Sequence, residues 1–355
     1  MIHLIPHPVP AAPPVPPGTP GRRAPGRRGP VPPGRGPRAA ADLRVLTVLP
    51  IAAAGIVILS SVLAPAAVRS AALPLAVIGA LIGVPHGAVD HLIPRWTGIP
   101  GPRASIVLLV PAYLTVCLVA GACLLLAPRV SVLCFLLISA LHFGTAETAF
   151  AAERRGEPTP RPWQAALASG GHGAGVVGLL LWAHPDDAGT WLRRLSPGAA
   201  AGVAAASKAG LAATAVLVAG SVLLAVVRGR LLAAAELVVL VTLFTTVPAP
   251  AAFGVYFGGW HAVRHTGRLL DVARSPGDPG WRPAVARLVR ASLLPTAAAL
   301  STIAALVLAR GRAPLLAEVA VLLALTYPHA AVVWSADTWR SGRAVAPPAG
   351  TPVRR

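Results

Sequence analysis

Apolar residues in this chain come in long unbroken runs rather than in the narrow stripes that mark the inner face of a surface helix. Ten runs stand out, near residues 45–65, 73–93, 105–127, 131–150, 165–183, 209–227, 231–247, 249–267, 291–309 and 315–336. A run of about 18 or more apolar residues is long enough to cross a hydrocarbon core roughly 30 Å thick as a helix. The pattern therefore predicts an all-α fold, a polytopic transmembrane helix bundle of about ten spans. Only Val247-Pro248-Ala249-Pro250 separates the seventh run from the eighth, as a tight turn or a break in one helix, so eight to ten spans fit the pattern.

Composition agrees. Of 355 residues, 55% are hydrophobic and 12% charged, too few charges for a soluble domain of this size. The expected unit is one transmembrane domain over residues 45–336, flanked by two tails. Residues 1–44 hold thirteen prolines, six glycines and seven arginines with no apolar stretch to bury. Such a segment cannot offset its ordering entropy and is expected to be a disordered cytoplasmic tail. Proline interrupts its apolar residues too often for the core of a signal peptide. Residues 337–355 read as a disordered, basic C-terminal tail.

The formal net charge of +19 invites a nucleic-acid reading, and the placement of arginine answers it. With the N-terminal tail cytoplasmic, ten spans put 23 of the 31 Lys and Arg residues inside. Arg69, Arg129, Arg193, Arg194, Lys208, Arg310 and Arg312 fall outside, and Arg264 lies within a span. That bias is the positive-inside pattern, with both termini cytoplasmic. The charge reflects topology in a multi-pass protein of the cell membrane, and no nucleic-acid partner is expected. Cys117, Cys123 and Cys134 all fall in spans without metal-type pair spacing and read as small buried hydrophobes.

Histidine is the residue that the apolar pattern does not explain. Ionisable groups are expensive in a bilayer and mark functional sites there by default. His86, His91, His142, His172, His261, His265 and His329 lie within or at the end of predicted spans. In the expected topology the second, fourth, eighth and tenth spans all run inward. His86, His142 and His329 then lie about seven or eight residues from the cytoplasmic ends of their spans, roughly 10 Å in a helix, with His261 and His265 closer to theirs. Histidines on four parallel helices thus share one level of the cytoplasmic leaflet.

Spacing adds to depth. His261 and His265 are four residues apart, about 40° around a helix, so both rings can reach one ion. Asp90 is four residues after His86 and suits a carboxylate that holds the second nitrogen of a metal-bound imidazole. His91 points about 140° from His86 in a helix and is a poorer ligand. The quartet His86, His142, His261 and His265 is the candidate metal site. Asp90, His329, Glu147, Arg264 and His91 are read as groups that support the ligands or orient a substrate, with Arg264 neutralising Asp90 or Glu147. Glu236 and Glu318 read as ordinary interfacial or interhelical groups, and a lone His172 can as well bond across helices. Four neutral imidazoles with no thiolate suit Fe(II), Zn(II), Cu or Ni by ligand type alone.

The motifs also carry a resemblance. Gly-Val-Pro-His-Gly-Ala-Val-Asp (83–90), Leu-His-Phe-Gly (141–144), Trp-His-Ala-Val-Arg-His (260–265) and Tyr-Pro-His (327–329), in this order on separate spans, resemble the Brp/Blh family of membrane β-carotene 15,15′-dioxygenases. The resemblance covers about residues 70 to 335 and implies an Fe(II) site with His86, His142, His261 and His265 as ligands. It further implies O2 as co-substrate, β-carotene as substrate, two all-trans-retinal molecules as product and a functional link to a rhodopsin. Glu147 stands where the family more often has aspartate, and Ala262 where serine is common. Trp260, Phe143, Phe253 and Phe257 are candidate lining residues for a carotenoid tunnel. Two rivals remain. A membrane di-iron desaturase or hydroxylase uses more HxxxH-type clusters than the single His261/His265 pair, and iron stoichiometry separates the two. A histidine-lined metal or proton transporter predicts inverted repeats, of which the motifs give no sign.

Overall fold

The structure, a computed structural model, describes residues 37–156, 161–275, 277–310 and 314–345. Most of the two expected tails, residues 1–36 and 346–355, lies outside the described residues. Among those described there are helices and no strand. We number twelve: α1 (Pro37–Leu63), α2 (Pro65–Gly83), α3 (Ile106–Leu126), α4 (Pro128–Arg155), α5 (Pro162–Trp182), α6 (Pro185–Leu195), α7 (Pro197–Ala205), α8 (Ser207–Val227), α9 (Leu231–Thr246), α10 (Ala249–Gly254 continuing through Val255–His261 and Ala262–Ala273), α11 (Arg282–Arg310) and α12 (Pro314–Val345). Helix α1 thus begins inside the stretch read as N-terminal tail, and α12 runs nine residues into the stretch read as C-terminal tail. Proline sits at the first turn of α2, α4, α5, α6 and α7, where its missing N–H costs nothing.

Eight helices are long and apolar enough to cross a membrane. The seventh and eighth apolar runs of the sequence are α9, sixteen residues long, and α10, whose histidines and arginines lower its apolar character. Between them Val247 is extended and the chain turns at once into α10, the tight-turn alternative of the two.

Burial divides the spans. In α4, α5 and α12, 44% of the most apolar window is buried within the protein, against 6% in α3 and α11. The first set, with α2 and α10, forms the interior; α3 and α11 lie at the outside with leucines such as Leu126 and Leu308 exposed. Both α3 and α11 pack on α12 rather than chiefly on one another.

Helices in lipid gain nothing from apolar contact alone, so close association depends on small residues that let backbones approach. The crossing of α2 and α10 shows this. A Cβ added at Gly79 would stand 2.2 Å from the Gly254 carbonyl oxygen, and one at Gly254 would stand 2.2 Å from that of Leu75. Gly144 of α4 meets the Ser169 carbonyl of α5 in the same way. These contacts draw the histidine-bearing segments of α2, α4 and α10 into the centre of the bundle. A π-helical turn over Val255–His261 resets the register of α10 just before His261.

Two outcomes are expected. Gly254→Ala forces two backbones apart and should destabilise the folded protein by about 1–3 kcal/mol or more, measured as loss of monodisperse protein on heating in detergent. Reporters fused at Arg355 and near Gly198 should report opposite sides of the membrane, since α8 to α12 make an odd number of crossings between them.

Candidate metal centre

Four segments bring five histidines to one place. His86 lies on a 3-10 turn, Val84–Gly87, that replaces the last turn of α2. His142 is in mid-α4, His261 ends the π-turn of α10, His265 follows one turn later, and His329 comes directly after Pro328 in α12. The ring centroids of His86, His261, His142 and His329 trace a near-square with sides of 5.1, 5.1, 4.8 and 4.9 Å. Within this group one nitrogen from each ring lies within 4.8 Å of the others. His265 stands beside the square, 5.3 Å from His86 and 5.2 Å from His329, and forms a second group with Asp90 and His329. Three of the four histidines read from the sequence, His86, His142 and His261, share this group with His329, and the fourth, His265, stands beside it.

The nitrogens decide what such a cage suits. His86 Nδ1 bonds the Gly83 carbonyl, and because a carbonyl only accepts, Nδ1 carries the proton and Nε2 keeps its lone pair. Nε2 of His86, His261 and His329 and both ring nitrogens of His142 and His265 are buried without a hydrogen-bond partner. An unsatisfied buried polar group costs about 1–3 kcal/mol. Five buried imidazoles that each leave at least one nitrogen unpartnered beside the others are an arrangement for a cation, and neutral imidazoles are the donor set that a transition metal takes.

The remaining candidate residues divide by position. Asp90 accepts from His329 Nδ1 at 2.8 Å and from the Tyr113 hydroxyl at 2.9 Å, so it braces His329 and not His86. His91 is half-buried on the wall of a cavity beside the cage. Glu147 and Arg264 form an ion pair below the cage, and Arg264 also reaches Glu236 at 2.5 Å. Glu236 in turn takes Arg154 at 2.6 Å, closing a buried chain of two arginines and two glutamates across α4, α9 and α10. Arg264 lies over the Trp260 and Phe150 rings, 4.4 and 4.6 Å from their centroids. One turn further, Arg268 bonds Glu153 at 2.9 Å and Asp337 at 2.5 Å, tying α10 to α4 and α12. His172 and His184 stand apart and donate to the backbone carbonyls of Ala168 and Phe244.

The cavity, about 1220 Å³, runs from the cage along α3, α11 and α12 toward Arg194 on the far side. His86, His142, His261 and His329 border it; His265 does not. Of the four aromatics expected along a tunnel, Phe143 and Phe257 line it. Trp260 is instead buried against Arg264, and Phe253 stacks on Phe257. Tyr113 was not singled out by sequence. The available signal was a lone phenol in an apolar run, since a buried hydroxyl needs a partner.

A membrane-spanning helix bundle with a buried imidazole cage at one end of an apolar cavity defines an integral-membrane protein suited to hold a metal ion beside a lipid-soluble molecule. The family model described as beta-carotene 15,15′-dioxygenase matches residues 77–336, a stretch that holds all five cage histidines. The chain belongs to this family, and its activity at the level of the family is that of a β-carotene dioxygenase. No curated protein and no solved structure matches it.

Breaking a buried ion pair strands its partner, which typically costs about 3–5 kcal/mol. Arg264→Leu should therefore lower thermal stability in detergent sharply, more than the double change of Arg264→Leu with Glu147→Leu, which strands one charge fewer.

Proposed function

We propose that the protein uses iron and O2 to split the central 15,15′ double bond of β-carotene into two all-trans-retinal molecules, in the cell membrane, as a supply of retinal for a rhodopsin. The observation that carries this reading is the junction of the cage with the cavity. Imidazoles with unpartnered nitrogens form part of the wall of an apolar space, so a hydrocarbon lying in it passes along them. His86, His142, His261 and His265 would hold Fe(II), which when bound supplies the redox chemistry with O2 that a carbon–carbon double bond requires. Conversion of one C=C into two C=O consumes one O2 and needs no external reductant.

The chain's own residues do the rest. Leu114, Leu118, Leu125 and Leu325 give the polyene an apolar wall that water does not favour. Phe257 and Phe143 stand edge-on to His86 and His261 at 5.4 and 4.8 Å, and keep the wall dry at the point where the polyene meets the histidines. The polyene offers few polar handles, so the depth of the cavity fixes which bond lies beside the cage. Glu147, Arg264 and Glu236 hold α10 to α4 and α9 and so keep His261 and His265 opposite His142. The exposed seam between α3 and α11 is the side from which a substrate dissolved in lipid enters.

Expression in a bacterial host that makes β-carotene, with this chain as the only addition, should yield retinal, and absence of retinal from inserted, iron-replete protein would overturn the reading. The purified protein should hold one iron per chain; two would favour the di-iron alternative. His86→Ala, His142→Ala, His261→Ala and His265→Ala should each abolish retinal formation while the protein still inserts. His172→Ala and His184→Ala, which lose only a bond to a backbone carbonyl, should keep most of it.

A further inference from the structure

His329 lies outside the ligand set read from the sequence, yet its surroundings are those of a ligand. Its ring stands 4.8 Å from that of His142 and 4.9 Å from that of His86, the two shortest ring separations in the cage. Its Nδ1 faces both oxygens of Asp90, at 3.0 and 2.8 Å. A carboxylate accepts, so the proton sits on Nδ1, and the lone pair sits on Nε2, which is buried and has no partner. Asp90 is 2% exposed, and its side chain bonds His329 and Tyr113, with no arginine or lysine among its partners. The nearby arginines are engaged elsewhere, Arg264 by Glu147 and Glu236 and Arg268 by Glu153 and Asp337. A buried carboxyl group with only an imidazole and a phenol for company lacks a countercharge, and a cation on the far side of that imidazole provides one. Carboxylate–histidine–metal chains have this form, and the carboxylate raises the basicity of the ligand and fixes its ring.

We propose that His329 is a fifth imidazole ligand of the metal, oriented by Asp90, and that Tyr113 is a positioning residue that holds Asp90 in place from the cavity wall. This rests on the reading of the cage as an iron site. His86, His142, His261 and His329 border the cavity and His265 does not, so a metal held by these residues would supply its chemistry on the side where the polyene lies.

The test is metal binding by full-length protein in detergent, titrated with Fe(II) against a competing chelator and with Co(II), whose visible absorption reports ligand number. Tyr113→Phe and Asp90→Asn should weaken Fe(II) binding by about 10- to 100-fold. His329→Gly should change the Co(II) spectrum, and added imidazole should restore it. Tyr327→Phe, which removes a hydroxyl bonded to the Ser131 carbonyl, should alter neither. If wild-type protein binds no iron, the cage is not an iron site and the proposed function falls with it. If wild type binds iron and the affinity of Tyr113→Phe and the spectrum of His329→Gly match it, His329 is not a ligand, while the function proposed above stands. Tyr113→Phe loses one hydrogen bond to a buried carboxylate, so its unfolding temperature without metal should fall modestly; a fall with unchanged Fe(II) affinity would make the hydroxyl structural only and overturn its positioning role.

Discussion

In hydrocarbon a donor or acceptor without a partner costs several kcal/mol, and the polar residues of this chain meet that constraint in two different ways. Most buried charges are matched inside the protein: Arg154, Glu236, Arg264 and Glu147 form a linear series, and Arg268 is shared by Glu153 and Asp337, while the buried Glu318 keeps one oxygen unpartnered. Hydroxyls return to the carbonyl one turn back, as Thr145 and Thr326 do. The cage histidines are the largest group of exceptions, with seven ring nitrogens left without a partner. Other unpartnered atoms, such as those of Gln164, Thr296 and Glu318, come one to a residue, whereas the cage gathers seven from five rings, where an ion can meet the demand.

The same constraint shows why the helices cross where they do. Gly79 and Gly254 remove the side chains between α2 and α10, and the π-turn at Val255–His261 presents His261 and His265 toward α2 and α4. The ion series then holds the opposite face of α10. One face of this helix is bound by charge and the other faces the cage, so the histidines are placed by contacts some distance from them.

Spans and histidine depth are one-dimensional properties and were legible in the chain. Run length sets a crossing and residue count sets a level, so the histidines of α2, α4, α10 and α12 were expected at one height before their lateral arrangement was known. Angular relations fared differently. The pairing of Asp90 with His86 assumed a helix of 100° per residue, whereas the chain leaves the α-helix at Gly83 and runs through 3-10 turns at Val84–Gly87 and Asp90–Leu92. That turns Asp90 toward α12, where it meets His329, 239 residues away in sequence. Trp260 failed as a lining residue for a related reason: on the same turn as His261 it faces the other way, onto Arg264. Tyr113 was hidden because its significance is a contact between α3 and the 3-10 segment, which no local pattern encodes.

The seam between α3 and α11 bears on what concentration means for this protein. With entry through this seam, as proposed above, the cavity would share its contents with the surrounding lipid, so the bilayer would act as a two-dimensional reservoir and water would have no part in supply. The quantity that fills the cavity is then the mole fraction of carotenoid among lipids, not its amount per volume of buffer. Adding lipid or detergent at fixed carotenoid dilutes the substrate as surely as adding solvent dilutes a sugar. Tighter acyl-chain packing and a thicker leaflet would act on the same step, which makes membrane composition a kinetic variable for this protein in its own right.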